Sequence, residues 1–364
     1  MDICLFLAHF VLSKLVCIFY MSIINVLAPC IKYQKETSQD NFVNIGPFRF
    51  IKPYEFTFEG NTKKRWIGRK LLDVFKTEFK HWEEETIIER IQKGQILING
   101  NHIPVDYTFK DGDRLKHSMI RREAPIYNTP IVKIGETVDY VAYLKPSSMP
   151  VNPSGGYFYN SLIKQVGPSL FPVHRLDIVT SGIIVFAKTQ SAARVFMEML
   201  DSGVINKSYI ARVCGQFPPG ETIVDEPIDT DRTLNRMVVI KSGKPSKTVF
   251  RLISTNGSES IVECNPITGR THQIRVHLSY LGFPISNDSM YGGVKEPWNK
   301  AELKALNRAE ELGLWPSDVI IDKENPELDM MVYLHSFHYK SSTFDFKAPL
   351  PDWADLEVHN SCHI

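Results

Sequence analysis

His174 to Thr189, HRLDIVTSGIIVFAKT, joins a polar tetrad to an uninterrupted apolar run. The run, Ile183 to Ala187, is short, β-branched and aromatic, and is bounded by Thr-Ser-Gly and Lys-Thr. That is the pattern of a strand buried on both faces. The tetrad His174-Arg175-Leu176-Asp177 then sits in a loop at the edge of a buried sheet, where the strand behind can hold a side chain rigidly. Two explanations fit such polar residues beside core: a buried ion pair or an Asp-centred turn, and a positioned catalytic carboxylate. Spacing alone leaves both open.

Outward from this point the chain mixes strands and helices without an internal repeat. TVDYVAYLKPSS before it predicts a strand, and QSAARVFMEMLDSG after it a helix ended by Gly203. KSYIARVCGQF and SIVECNPITG predict further strands, and VYLHSFHYKSSTFDFKAPLPDW closes the domain with strand pairs and a Pro-bounded end. In GRTHQIRVHLSYLG a helix starting near Thr271 puts His272 and Arg275 three apart on one face, with Ile274, Leu278 and Leu281 forming the apolar stripe. Such a basic face at a helix start after a strand suits phosphate or a carboxylate partner; a solvated helical face is the bland alternative. Tyr209 opens a strand, a position more often core than catalytic. Residues 294–329, charged and helix-prone, read as an inserted surface element.

Before this domain, residues 46–120 read as an aromatic lead-in, FRFIKPYEFTFEG, and a small basic domain. Leu71, Leu72, Phe75 and Phe79 recur at helical spacing, WEEETIIERIQKGQ makes a second helix ended by Gly94, and Asn-Gly and Asp-Gly turns mark a small hairpin. Residues 121–130 form a connector, 131–355 the large domain and 356–364 a tail. Residues 1–45 are an extension, apolar at first and polar from Gln34 to Val43. Its apolar part admits a secretory or membrane segment, or a start of translation at Met21. It lacks the arginines of a mitochondrial presequence.

The chain of 364 residues is 43% hydrophobic and 23% charged, enough to bury a core, and its net charge of +1 does not itself announce a nucleic-acid partner. Six scattered cysteines without a C-x-x-C pair argue against a disulfide framework or zinc site and for a reducing compartment. There is no phosphate-binding G-x-x-x-x-G-K-[ST] loop and no metal-ligand cluster.

Taken together these segments resemble the RluA family of RNA pseudouridine synthases. The resemblance covers residues 131–353 in family order: Lys145-Pro146 through Met149-Pro150-Val151-Asn152-Pro153 and Asn160, then HRLDIVTSGIIVFAKT, KSYIARVCGQFP, GRTHQIRVHLSYLGFPISNDSMYG, and finally Leu334-His335 and KAPLPDW. It implies an α+β fold, a mixed and largely antiparallel sheet flanked by helices. Two short helices and a hairpin preceded by Lys and Arg resemble, in addition, the α-L RNA-binding motif. The lead-in and RWIGRKLLDVF resemble the eukaryotic branch acting on position 32 of the tRNA anticodon loop.

The resemblance implies isomerisation of uridine without cofactor or metal, since no atom is lost and no redox change occurs. Asp177 is then the indispensable group, acting by covalent attack or by assisting deprotonation of the ribose. Desolvation in a closed site opposes ionisation of a carboxylate and a guanidinium favours it; by resemblance that partner is Arg275. Tyr209 would stack on the flipped base, Arg175 would fill the space left in the RNA or bind phosphate, and His174 would support the loop. Arg270, Lys145 and the helical-face residue His272 are phosphate or supporting candidates. Lys63, Lys64, Arg65, Arg69 and Lys70 would add electrostatic affinity from the small domain. The expected partner is RNA, tRNA above all, with the enzyme a cytoplasmic monomer; mitochondrion and nucleus are the other compartments considered. Rival readings are a non-catalytic RNA binder on the same fold and a hydrolase using Asp177 with His174 or His272. A deaminase relative is set aside because its H-x-E and P-C-x-x-C pattern is missing.

Overall fold

The computed structural model describes residues 41–78, 83–294, 297–314 and 330–359. The apolar extension, Phe79, half of the charged segment and the last five residues lie outside them. Pro53–Arg122 form one compact unit, and Phe42–Lys52 with the chain from Glu123 onward form the other.

In the smaller unit, α1 (Leu71–Glu78) and α2 (Glu84–Gln92) bury Leu71, Val74, Phe75, Ile87 and Ile91 with Trp66, Phe109 and Leu115. Their three-and-four spacing is what builds that face. Asn99 and Gly100 both take positive φ, as their turn requires. The strands are β3 (Tyr54–Asn61), β4 (Ile96–Ile98) and β5 (Arg114–Arg121), in the antiparallel order β3-β5-β4. The expected hairpin therefore supplies two strands of a three-stranded sheet.

The lead-in does not stay together as the sequence suggests. Its first part forms β2 (Phe48–Ile51), which makes a sheet in the larger unit with β6 (Ile126–Tyr127) and with β1 (Phe42–Ile45), a strand from the end of the segment assigned to the extension, while only its second part, β3, joins the smaller one. The reason is packing. Phe48 and Phe50 bury against Ala305 and Ala309 of the helix Lys300–Glu311, with Leu314 and Met330. The charge pattern predicts an inserted surface element there; instead the alanines of this helix cover the aromatic face of β2.

The larger unit is built on a ten-stranded sheet containing β7 (Val132–Glu136), β8 (Tyr140–Lys145), β9 (Phe171–Pro172), β10 (Ser181–Ala187), β11 (Asn206–Cys214), β12 (Glu221–Asp225), β15 (Lys247–Thr255), β16 (Glu259–Pro266), β17 (Leu334–Lys340) and β18 (Asp345–Lys347). The hairpin β13 (Ile228–Asp231) and β14 (Arg236–Val239) stands apart. The helices are α3 (Leu162–Val166), α4 (Gln190–Asp201) and α5 (Gln273–Tyr280), followed by α6, the helix Lys300–Glu311, and the short α7 (Leu356–His359). Strand order is β12-β15-β16-β11-β17-β10-β8-β7. Every pairing in this sheet is antiparallel except β10 with β17. β10 is buried from Gly182 to Ala187, as its composition demands. Thr189 caps α4 by accepting from Ala192 N–H at 3.1 Å.

At the seam between β10 and β17 the backbones approach closely. Gly182 has φ +113°, and a Cβ there would lie 2.3 Å from the Ser336 carbonyl oxygen. Gly182→Ala is expected to cost about 3 kcal/mol, from overpacking and backbone strain together, read as a lower urea midpoint at unchanged slope.

Candidate active site

The seam brings three distant segments to one place. Asp177 lies in the loop that leads into β10, closed by a turn in which its carbonyl accepts from Thr180 N–H at 3.2 Å, with Leu176 buried behind. The Asp177 side chain is 19% exposed. Two groups from the start of α5 meet the same oxygen: Arg275 Nη1 at 3.5 Å and His272 Nε2 at 3.6 Å. The expected sharing of one face by His272 and Arg275 is thus realised, around the carboxylate.

Arg275 is fixed from behind. Its Nε and Nη2 donate to the two oxygens of Asp288 at 2.6 and 2.8 Å, and its guanidinium lies over the Tyr291 ring at 4.9 Å. The Arg275 side chain is 4% exposed and that of Asp288 fully buried. Burial works against the guanidinium charge, but the Asp288 hydrogen bonds and the nearby carboxylates outweigh it, so the Arg275 pKa is raised. Two of its nitrogens belong to Asp288, and Nη1 is left for Asp177.

His272 takes a left-handed conformation, φ +54°, just before α5. Such strain in a residue with a Cβ persists where surrounding contacts fix it; here Tyr291 Oη, 2.8 Å from Nδ1, is one of them. Burial lowers the His272 pKa, partly opposed by Asp177. Burial also pushes the Tyr291 hydroxyl up to about 12, so it remains protonated near neutrality.

α5 is not the half-solvated helix its pattern suggests. Gln273, Arg275 and His277 are buried together with the apolar stripe residues Ile274 and Leu278. His277 meets Thr248 Oγ1 at 2.9 Å and the Glu226 carbonyl at 3.0 Å, so neighbouring segments supply partners that let polar side chains stay inside.

Lys145 departs most from expectation. A phosphate contact requires an accessible ammonium, yet this one is fully buried and donates to the carbonyls of Pro146, Met149 and Ile178 at 2.8, 2.7 and 3.2 Å. Desolvation pushes its pKa down to about 7, with the Asp177 charge opposing. It ties the 146–149 loop to the residue following Asp177.

Tyr209, on β11, is 8% exposed, with its hydroxyl 2.9 Å from that of Tyr339. Burial raises its pKa against the hydrogen bonds of Tyr339 and Ser336, and the field of Asp177 adds to the rise. His174 supports the loop: its Nε2 accepts from Val185 N–H at 3.0 Å, and its ring stacks on Tyr339 with centroids 4.7 Å apart. Arg175 and Arg270 are exposed, Arg270 steadied by donation to the Pro245 carbonyl at 3.1 Å. In the smaller unit Lys64 and Lys70 are exposed, but Arg65 is held by Glu78 at 2.6 and 2.7 Å and Lys63 lies 3.9 Å from the same carboxylate. Arg69 donates to Thr77 Oγ1 at 3.1 Å.

Sequence reasoning passed over Asp288, Tyr291 and Tyr339. A signal was present for the first: in PISNDSMYG an isolated acidic residue follows a helix carrying an arginine, and a buried arginine needs a counterion.

This arrangement offers an accessible carboxylate flanked by a fixed guanidinium and an imidazole, with a tyrosine nearby. A family model described as RNA pseudouridylate synthase matches residues 139–280. The chain is 32% identical over 358 residues to RNA pseudouridine synthase 7 of Arabidopsis thaliana, covering 88% of this chain and 90% of that one. It is 33% identical over 373 residues to the mitochondrial tRNA pseudouridine(32) synthase of Saccharomyces cerevisiae, covering 89% and 80%. Among solved structures, Human RNA Pseudouridylate Synthase Domain Containing 1 is 22% identical with a TM-score of 0.46, covering 61% of this chain and 84% of that one. A match of this identity over nearly the whole of both sequences, with Asp177 and Arg275 brought together from segments 98 positions apart, leaves one conclusion: the chain belongs to the RluA family of RNA pseudouridine synthases.

Proposed function

We propose that this enzyme converts uridine 32 of the tRNA anticodon loop to pseudouridine, with Asp177 as the catalytic residue. The reaction breaks the N1–C1′ bond, turns the uracil and rejoins it through C5. The observation that carries the reading is the partly exposed Asp177 carboxylate, met on one oxygen by Arg275 and His272. A uridine must leave its stack to reach it, at a cost of a few kcal/mol that is smaller in a loop than in a duplex. Exposed Arg175 is available to occupy the space left behind or to bind the adjacent phosphate. Two relatives are named as tRNA pseudouridine synthases, for positions 32 and 31, and this supports tRNA as the substrate. Chemical mapping of pseudouridine in total RNA from cells with and without the gene tests it: the site at position 32 should vanish, and its persistence would refute the assignment.

The same reading makes residues 53–122 an accessory RNA-binding domain of the α-L kind, and the enzyme a monomer. Lys64 and Lys70 are the exposed cations that support this. Replacing both by Ala should raise KM with kcat retained, and lower the slope of log affinity against log salt by about one unit for each phosphate no longer neutralised. An unchanged slope would remove the domain from the interface. Compartment follows the RNA: the cytoplasm is our assignment, and because one relative is named as mitochondrial, fractionation of the tagged protein is the deciding measurement.

A further inference from the structure

Next to the catalytic carboxylate, three rings from three different segments form a line whose hydrogen bonds admit one common direction, set at one end by the Val185 N–H. Val185 N–H donates to His174 Nε2 at 3.0 Å, so that nitrogen presents a lone pair and the proton of the neutral ring is on Nδ1. A charged ring would carry a proton on Nε2 as well, directed against the Val185 N–H. Burial, with the Lys207 charge adding and the Arg175 backbone opposing, pushes the His174 pKa down to about 3. His174 Nδ1 lies 3.4 Å from Tyr339 Oη, so a proton on Nδ1 faces a hydroxyl oxygen that can accept it, with the Arg175 backbone as a second partner of the ring. Tyr339 Oη lies 2.9 Å from Tyr209 Oη. As an acceptor from His174, the Tyr339 hydroxyl has its own proton available for Tyr209, and Ser336 hydrogen-bonds both hydroxyls. The Tyr209 oxygen is then an acceptor on this side, and its proton points away from Tyr339. Ring packing holds the line: His174 lies between Phe196 and Tyr339, and Tyr339 meets Tyr209 edge-on with centroids 6.4 Å apart.

We propose that the line Val185–His174–Tyr339–Tyr209 presents Tyr209 to the bound uridine as a hydrogen-bond donor, and that Tyr339 is a positioning residue for the reaction. This rests on the catalytic reading given above. When the N1–C1′ bond breaks, its electron pair leaves with the uracil, and the negative charge spreads over N1 and the carbonyl oxygens. A fixed O–H donor stabilises that charge where it develops. The same polarity makes Tyr209 a poor base for the C5 proton, because a lone pair is already engaged by Tyr339. No proton moves along the line; each ring keeps its own throughout.

Tyr339→Phe removes the donor while leaving the ring. In tritium release from tRNA labelled at uracil C5, kcat should fall about tenfold, within the range for loss of one positioned proton donor, with KM changed less than about twofold. Tyr209→Phe/Tyr339→Phe should be no slower than Tyr209→Phe alone, since both substitutions remove the same donor function. His174→Asn, whose amide can donate in place of Nδ1–H, should be faster than His174→Leu. A Tyr339 that merely fills space would make the double variant slower than Tyr209→Phe by the factor seen in Tyr339→Phe alone, which overturns the proposal, as does full kcat in Tyr339→Phe. Nitrogen-15 shifts of labelled His174 in the wild-type enzyme give an answer free of folding effects: a proton on Nδ1 supports the line, and one on Nε2 overturns it. Absence of tritium release from the wild type would instead sink the underlying reading of the site.

Discussion

Asp177→Asn is expected to abolish turnover, lowering tritium release from C5-labelled tRNA by at least about 10³-fold, the scale lost with a group that carries bond-making or proton transfer. The substitution is nearly isosteric, and the side chain holds little of the fold: it is 19% exposed and its contacts to Arg275 and His272 are long, at 3.5 and 3.6 Å. Stability should therefore change by less than about 1 kcal/mol, and RNA affinity should persist. An inactive, folded, RNA-binding variant separates an enzyme from a protein that only binds RNA. Turnover within tenfold of wild type would show that the carboxylate is not the reacting group.

Loss of the arginine should act on two levels at once. Arg275→Ala leaves Asp288 buried without its counterion, and breaking a buried pair from one side costs about 3–5 kcal/mol. It also removes the Nη1 group that meets Asp177, so most of the activity should go with it. The two effects can be told apart. Arg275→Met with Asp288→Asn removes both charges, and the stability of the double variant should recover towards wild type, as replaced buried pairs commonly do. Its activity should not recover. A double variant that is both stable and fast would mean that Arg275 serves Asp288 and the fold alone, with no bearing on the carboxylate.

How much of this was legible in the sequence depends on the range of the interaction. The buried strand β10 and the loop before it followed from a local apolar run, and the capped helix α4 from local pattern. The meeting of Asp177 with Arg275 came from resemblance, because no periodicity links segments so far apart. α5 misled because amphipathic reasoning assumes that polar means wet. Gln273, Arg275 and His277 are dry because Thr248, Glu226 and Asp288, all from other segments, supply their partners. Lys145 misled in the same way: basic residues near a nucleic-acid site invite a phosphate reading, and only the folded chain reveals three carbonyls around an ammonium. The division of the lead-in could not be seen either, since what separates β2 from β3 is a helix some 250 positions later.

The position of β17 within the sheet bears on synthesis. The strand follows β10 and β11 by more than a hundred positions, yet it lies between them and joins the half that carries Asp177 to the half that carries Tyr209. During translation both halves emerge first with open inner edges, and such edges recruit other strands. A nascent chain stopped short of Leu334 would hold Asp177, Tyr209 and Arg275 and still lack the strand that unites them. Catalytic competence thus waits for β17, and a frameshift before Leu334 should yield aggregation-prone fragments rather than a weakened enzyme.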